Sequence, residues 1–290
     1  MKTSYLGPFY LTIAASIWGG TYVVSKVVLT VIPALELIWL RYIIALSALL
    51  LLCLFSRQSL SIRWKDMPLL FLIGFIGYFL SIWAQFVGTH LASAQMGAVI
   101  TAATPALMVV FARFLLKETI TWRKGLSVLL ASAGVILIAG FGSQQDASLI
   151  GGLILGFAAI TWALMSVLIK LVPARYSSLL ITTYAIFTAT LTLTPFVYAS
   201  LPNIPWQLIQ EDPTLWSGLF YLGVISTAGA FHFWNKGLLL VEASKSGIYF
   251  FFQPLVGTWL GWLLLGEEVT LGFWAGTSFI LLGVLLILKK

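Results

Sequence analysis

TAATPALMVVFARFLLKETIT (101–121) and FFFQPLVGTWLGWLLLGEEVT (250–270) are two copies of one pattern, 149 residues apart. Pro105 falls on Pro254, Glu118 on Glu267 and Thr121 on Thr270. Working outward, the same offset carries Gly74 onto Gly223, Ala94 onto Ala243 and Gly134 onto Gly283. Nearer the N-terminus the offset is 144: Ala14-Ala15 falls on Ala158-Ala159, Trp18 on Trp162 and Lys26 on Lys170. The five-residue difference is taken up by 199–213, a stretch with three prolines that is expected to lie along an interface with Trp206 as its anchor.

What the repeat is made of follows from composition. Of 290 residues, 60% are hydrophobic and 9% charged, against about 25% charged in an average soluble domain. So few charges cannot cover a soluble surface, and a bilayer must solvate most of the chain. A helix needs about 20 apolar residues to span the hydrocarbon core. The runs 6–26, 35–55, 68–88, 94–115, 123–140, 149–170, 178–198, 214–234, 245–265 and 271–288 meet that length. The expected fold is an all-α membrane protein of ten transmembrane helices, as repeats 1–140 and 149–290. Five is odd, so the second repeat enters the membrane upside down. Inverted-topology repeats place a substrate site near the midplane between the halves.

The net charge of +7 reads as a topology signal rather than a nucleic-acid site, because the basic residues sit in short gaps between apolar runs. With the N-terminus in the cytoplasm, that side receives Lys2, Arg57, Arg63, Lys65, Arg113, Lys117, Arg123, Lys124, Lys170, Arg175, Lys236, Lys245, Lys289 and Lys290. Those are fourteen of the 16 Lys and Arg residues; Lys26 is outside and Arg41 lies within helix 2. Cytoplasmic loops carry the excess of Lys and Arg, so both termini are expected inside. The first apolar stretch runs past Trp18-Gly19-Gly20 without a small-x-small cleavage site and reads as a retained helix. The lone Cys53 excludes an internal disulfide, and no Cys/His spacing suits a metal. An enzyme would need paired carboxylates, a Ser/His pair or metal ligands at membrane depth. The expected spans hold no aspartate, and the chain has only two histidines. No cofactor is expected, and neither a filter-like carbonyl motif nor a charge ring suggests a channel.

The paired Pro105/Glu118 and Pro254/Glu267 motifs, AASIWGGTYVVSK (14–26) and Arg41 in helix 2 resemble the EamA-like branch of the drug/metabolite transporter superfamily over nearly the whole chain. The resemblance implies a secondary transporter of the bacterial plasma membrane. It would export amino acids or related metabolites by alternating access, with a cavity lined by helices 1, 3, 4, 6, 8 and 9. The alternatives are an amine or multidrug efflux carrier and a membrane-embedded enzyme. The partners are a small-molecule substrate and the lipid bilayer, with a monomer or a homodimer both open; small-xxx-small pairs such as Gly272/Gly276 allow close helix contacts of either kind.

Polar groups inside spans are costly unless they face protein or a cavity, so they are the candidates for substrate contact. In helix 1 these are Trp18, Thr21 and Tyr22, with Trp162 as the repeat partner of Trp18. Arg41 is the one guanidinium deep in a span; it can meet a substrate carboxylate or pair with Glu36. Helix 3 offers Tyr78, Trp83 and Gln85, and helix 8 offers His232 and Asn235. His232 is either a proton-coupling group or a packing residue. Thr101, Tyr249 and Gln253 precede the two prolines. A proline frees the carbonyl four residues back, so kinks there can turn polar backbone toward a cavity. Pro105, Glu118, Pro254 and Glu267 are read as gating or structural residues.

Overall fold

A computed structural model of the protein describes residues 5–91, 103–139, 149–265 and 271–288. Within them the chain is helical and contains no strand. Six helices are long and apolar enough to cross a membrane, joined by two shorter apolar helices, Thr104–Leu116 and Trp274–Leu286.

The elements in chain order are α1 (Leu6–Val28), α2 (Ala34–Phe55) and α3, which joins Met67–Ile73, Gly74–Ser81 and Ile82–Leu91. Then come α4 (Thr104–Leu116), α5 (Trp122–Ala139), α6 (Leu149–Leu168) and α7 (Ser178–Val197). α8 joins Pro213–Phe220, Tyr221–Gly229 and Ala230–Leu240. α9 joins Ala243–Ser246, Gly247–Phe251 and Phe252–Leu265, and α10 is Leu271–Leu288. The 199–213 stretch forms a 3-10 turn (Tyr198–Asn203) and a short helix (Trp206–Glu211), with Trp206 exposed.

Local chemistry sets several boundaries. Ser177 starts α7 by accepting the Leu180 amide at 3.2 Å, the usual work of an N-cap hydroxyl. Asp212 caps α8 through the Thr214 amide at 2.8 Å, with Pro213 in the first turn. α9 is not the continuous helix that its apolar run 245–265 suggests. It tightens to a 3-10 turn over Gly247–Phe251 before Pro254, because proline lacks an N–H and its ring crowds the carbonyl of Phe250. α3 and α8 depart in the other direction. Both loosen to π-helix, at Gly74–Ser81 and Tyr221–Gly229. Gly74 and Gly223 sit in these stretches at equivalent places in the repeat.

Close backbone contacts recur at the two offsets. A Cβ on Gly74 would meet the Ala185 carbonyl of α7, and one on Gly223 would meet Ile44 and the Arg41 carbonyl of α2. Gly88 lies against Leu155 and Gly151, and Gly237 against Leu11 and Gly7. Gly134 lies against Gly276 and Ile280, and Gly283 against Ser127 and Ala131. In each pair the partners are themselves 144 or 149 residues apart. Lipid tails give helices no hydrophobic reason to associate, so small residues that let backbones approach supply packing instead.

The α5/α10 contact gives a test. A Cβ on Gly134 would stand 2.5 Å from the Gly276 carbonyl, whereas one on Gly125 meets nothing within 4 Å. Gly134→Val is expected to cost about 1–3 kcal/mol by overpacking. Gly125→Ala is expected to be neutral or to stabilise by up to about 1 kcal/mol, since alanine is the better helix former. Thermal unfolding in detergent reads both; equal melting points for the two variants would refute the contact.

Candidate functional site

Among the described residues the largest buried aromatic cluster lies where α1, α3, α6, α8 and α9 meet. Trp18 of α1 stands edge-on to Trp162 of α6, with ring centroids 5.5 Å apart. Phe231 and Trp234 of α8 each lie 5.3 Å from Trp18, and Phe250 of α9 lies 6.0 Å away. Tyr78 of α3 closes the group, 4.7 Å from Phe231 and 6.2 Å from Trp162. Edge-to-face rings set the positive edge of one against the negative face of another, so these contacts hold the rings at fixed angles.

Two polar networks flank the rings. The first runs through the π-helical turn of α8. The Trp18 indole donates to the Ser226 carbonyl at 3.0 Å, and the Thr21 and Ser226 hydroxyls share a hydrogen bond of 2.6 Å. Tyr221 donates to the Ile17 carbonyl at 2.8 Å. Arg41 Nε donates to Thr227 Oγ1 at 2.7 Å, and Thr227 donates to the Leu222 carbonyl, five residues back, at 2.6 Å. That spacing is the π-helical one, and such turns recur at functional sites. Arg41 is 4% exposed, and among the described residues it makes no ion pair. The Glu36 pairing considered from the sequence is not formed: five positions along a helix do not bring two side chains together.

The second network joins the halves at Asn235, which is fully buried. Its Nδ2 donates to Tyr78 Oη at 2.8 Å and to Thr182 Oγ1 at 2.9 Å. Tyr42 donates to the Tyr78 carbonyl at 2.6 Å. Among the rings, the indole N–H groups of Trp162 and Trp234 are buried and have no hydrogen-bond partner among the described residues.

Of the residues singled out from the sequence, the structure brings Trp18, Thr21, Arg41, Tyr78, Trp162 and Asn235 into these two networks and the ring cluster. Tyr249 is buried in the 3-10 turn of α9. The Gln253 carbonyl would meet a Cβ on Gly19 at 2.7 Å, which gives the Trp18-Gly19-Gly20 sequence its close-approach role. Gln85 is half-buried. Trp83 is 37% exposed and takes no part in the ring cluster. His232 is half-buried, its Nδ1 without a partner among the described residues; its ring lies beside Phe233. Thr101 and Glu267 lie outside the described residues, as does the side chain of Tyr22. Sequence reasoning missed Ser226, Thr227, Tyr221 and Phe231. The one available signal was the small polar pair Ser226-Thr227 in the apolar run of α8.

Away from the rings, one end of the bundle is closed by charge. The Glu118 carboxylate accepts the amides of Ala243 at 2.9 Å and Ser244 at 3.1 Å, and also the Ser244 hydroxyl. Lys124 Nζ lies 3.0 Å from Glu242 and 4.0 Å from Glu118. Burial works against ionisation of Glu242, but hydrogen bonds from Lys245 and Lys124 outweigh it and hold the carboxyl below its ordinary value. Thr121 accepts the Lys124 amide at 3.4 Å at the start of α5. Pro105 packs on Gly247. At the same end Asp66 pairs with Arg175 and accepts the Tyr176 hydroxyl at 2.7 Å, and its carboxyl is held below the usual range by Tyr176 and Arg175.

Comparisons with known proteins agree with this architecture. The chain is 29% identical to the uncharacterized transporter YetK of Bacillus subtilis, covering 97% of this chain and 87% of that one. It is 26% identical to the S-adenosylmethionine/S-adenosylhomocysteine transporter of Chlamydia muridarum, covering 96% and 90%. The putative permease-like protein YdzE of Bacillus subtilis is 60% identical over 70 residues, 24% of this chain. A solved crystal structure superposes with a TM-score of 0.83 at 18% identity, over 99% of this chain and 96% of that one. The EamA-like transporter family model matches twice, at 5–140 and 149–289. The chain therefore belongs to the EamA-like transporter family, a multi-pass membrane protein whose relatives are named as transporters.

Proposed function

We propose that the protein is a secondary transporter of ten membrane spans, built as inverted repeats 1–140 and 149–290. It exports amino acids or related small metabolites across the plasma membrane of a bacterial cell. The observation that carries the reading is the ring cluster. Trp18 and Trp162, equivalent in the repeat, meet at 5.5 Å, and polar side chains of both halves converge beside them. A site shared between two rocking halves is the arrangement that alternating access requires. The name of the Chlamydia muridarum relative supports a small-metabolite cargo. The N- and C-termini lie in the cytoplasm, on the side that collects fourteen of the 16 basic residues.

Uptake into proteoliposomes across a panel of amino acids and amines, with and without a pH gradient, tests the activity. The expected result is saturable movement of at least one amino acid; a panel in which nothing moves would sink the reading. Reporter fusions at both termini test the topology, and an extracellular C-terminus is incompatible with ten spans.

A further inference from the structure

Among the described residues Arg41 is a cation without an anion. It is 4% exposed in α2, and no carboxylate among the described residues pairs with it. The chain's nine acidic residues stand at positions 36, 66, 118, 146, 211, 212, 242, 267 and 268, so α2 carries only Glu36, in its first turn. An ionised group in a span is retained where it meets a partner.

We propose that the partner is the carboxylate of the transported solute, which rests on the carrier reading above and names the chemical group the site selects. Thr227 Oγ1 takes the Nε hydrogen at 2.7 Å. Thr227 is in turn fixed by its bond to the Leu222 carbonyl, so the Nε end of the guanidinium is anchored. A guanidinium binds a carboxylate through two parallel N–H bonds. With Nε committed, the two terminal nitrogens remain as that pair.

The ring cluster joins α8 one residue from Thr227. Ser226, adjacent to Thr227, accepts the Trp18 indole through its carbonyl. In that cluster the buried indoles of Trp162 and Trp234 have N–H donors with no acceptor among the described residues. A tryptophan indole donates and cannot accept, so what is missing here is an acceptor. A carboxylate supplies acceptors and one negative charge, matching one guanidinium. A phosphate dianion would leave an unbalanced charge, and an amine would add a second cation.

The sequence also shows that Arg41 breaks the repeat. Its counterpart at offset 144 is Ala185. Both positions meet a glycine of the facing π-helical stretch, Gly223 and Gly74. The packing therefore does not need the guanidinium, since alanine fills the equivalent place.

The test is uptake by the wild type, Arg41→Lys and Arg41→Gln in proteoliposomes, using L-amino acids, their primary amides and the matching decarboxylated amines. The wild type is expected to move at least one acid at least tenfold faster than its amide or amine. Arg41→Gln is expected to bring that ratio to about one, by slowing the acid on the order of 10- to 100-fold, the range for a charge-assisted hydrogen bond. Arg41→Lys, which keeps the charge and loses the fork, is expected to fall between; it also serves if the glutamine variant fails to insert. Melting temperatures of the purified variants check folding. Equal wild-type rates for acid and amide overturn the proposal and leave the carrier reading standing, as does an undiminished acid preference in both variants. A wild type that moves nothing overturns both.

Discussion

Trp18→Ala is expected to abolish uptake and to destabilise the protein by about 3–5 kcal/mol, the range for removing a large aromatic from a core. Trp18 is buried and touches Trp162, Phe231, Trp234 and Phe250 with its ring. Trp18 and its repeat partner Trp162 each touch four other rings of the cluster, and among the described residues Trp18 alone of the two also donates an indole hydrogen bond. Its removal leaves a void between halves that cannot close easily, because the Gly19 backbone just beyond it already lies against Gln253 and Gly257. Trp18→Phe separates packing from polarity. It keeps a ring but strands the Ser226 carbonyl, which the indole satisfies at 3.0 Å. A stranded buried acceptor costs about 1–3 kcal/mol. The melting temperature of the phenylalanine variant should therefore lie between those of the wild type and the alanine variant. An alanine variant that melts with the wild type and transports at its rate would refute the central place given to the cluster.

Much of this is legible in the sequence, and the reasons are physical. Apolar runs of about 20 residues have one solution in a bilayer, a helix, and six of the described helices are long and apolar enough for it. The glycines that recur at 144 and 149 mark backbone contacts that also recur, because only the absence of a Cβ permits them. Trp18 and Trp162 were findable by the same offset. The π-helical stretches of α3 and α8 were not. They shift the register by one residue within a largely apolar run, and hydropathy does not change when a helix loosens. That hidden shift carries Ser226 and Thr227, so the polar pair stands out in the sequence but its meeting with Arg41 does not. Trp83 shows the opposite failure: a tryptophan in a span reads as a cavity residue, yet a large ring at a lipid-facing position is equally at home, and 37% of it is exposed.

Glu118→Ala is expected to unlatch the closed end of the bundle. The Glu118 side chain belongs to the segment after α4, and its carboxylate holds the first amides of α9 in the other half. Those amides begin a helix and have no intrahelical partner. The positive end of the helix dipole adds to their hold on an anion. Alanine removes every one of these bonds and also deprives Lys124 of one of its two nearby carboxylates. The expected loss is on the order of 2–4 kcal/mol, taking about 1–3 for each stranded group and allowing water to recover part of it. Because the bonds cross between halves, the loss falls on the closed arrangement and not on the fold of either half. A cysteine introduced at Ser246, which is buried beside this contact, should react with a membrane-impermeant thiol reagent at least tenfold faster in Glu118→Ala than in the Glu118 background, with Cys53 replaced by alanine in both. Glu118→Gln keeps an acceptor but loses the charge, and should open the end less. Glu118→Lys sets a cation against both the helix N-terminus and Lys124, and should open it most. Equal labelling in all four backgrounds would show that Glu118 caps a helix without latching the two halves together.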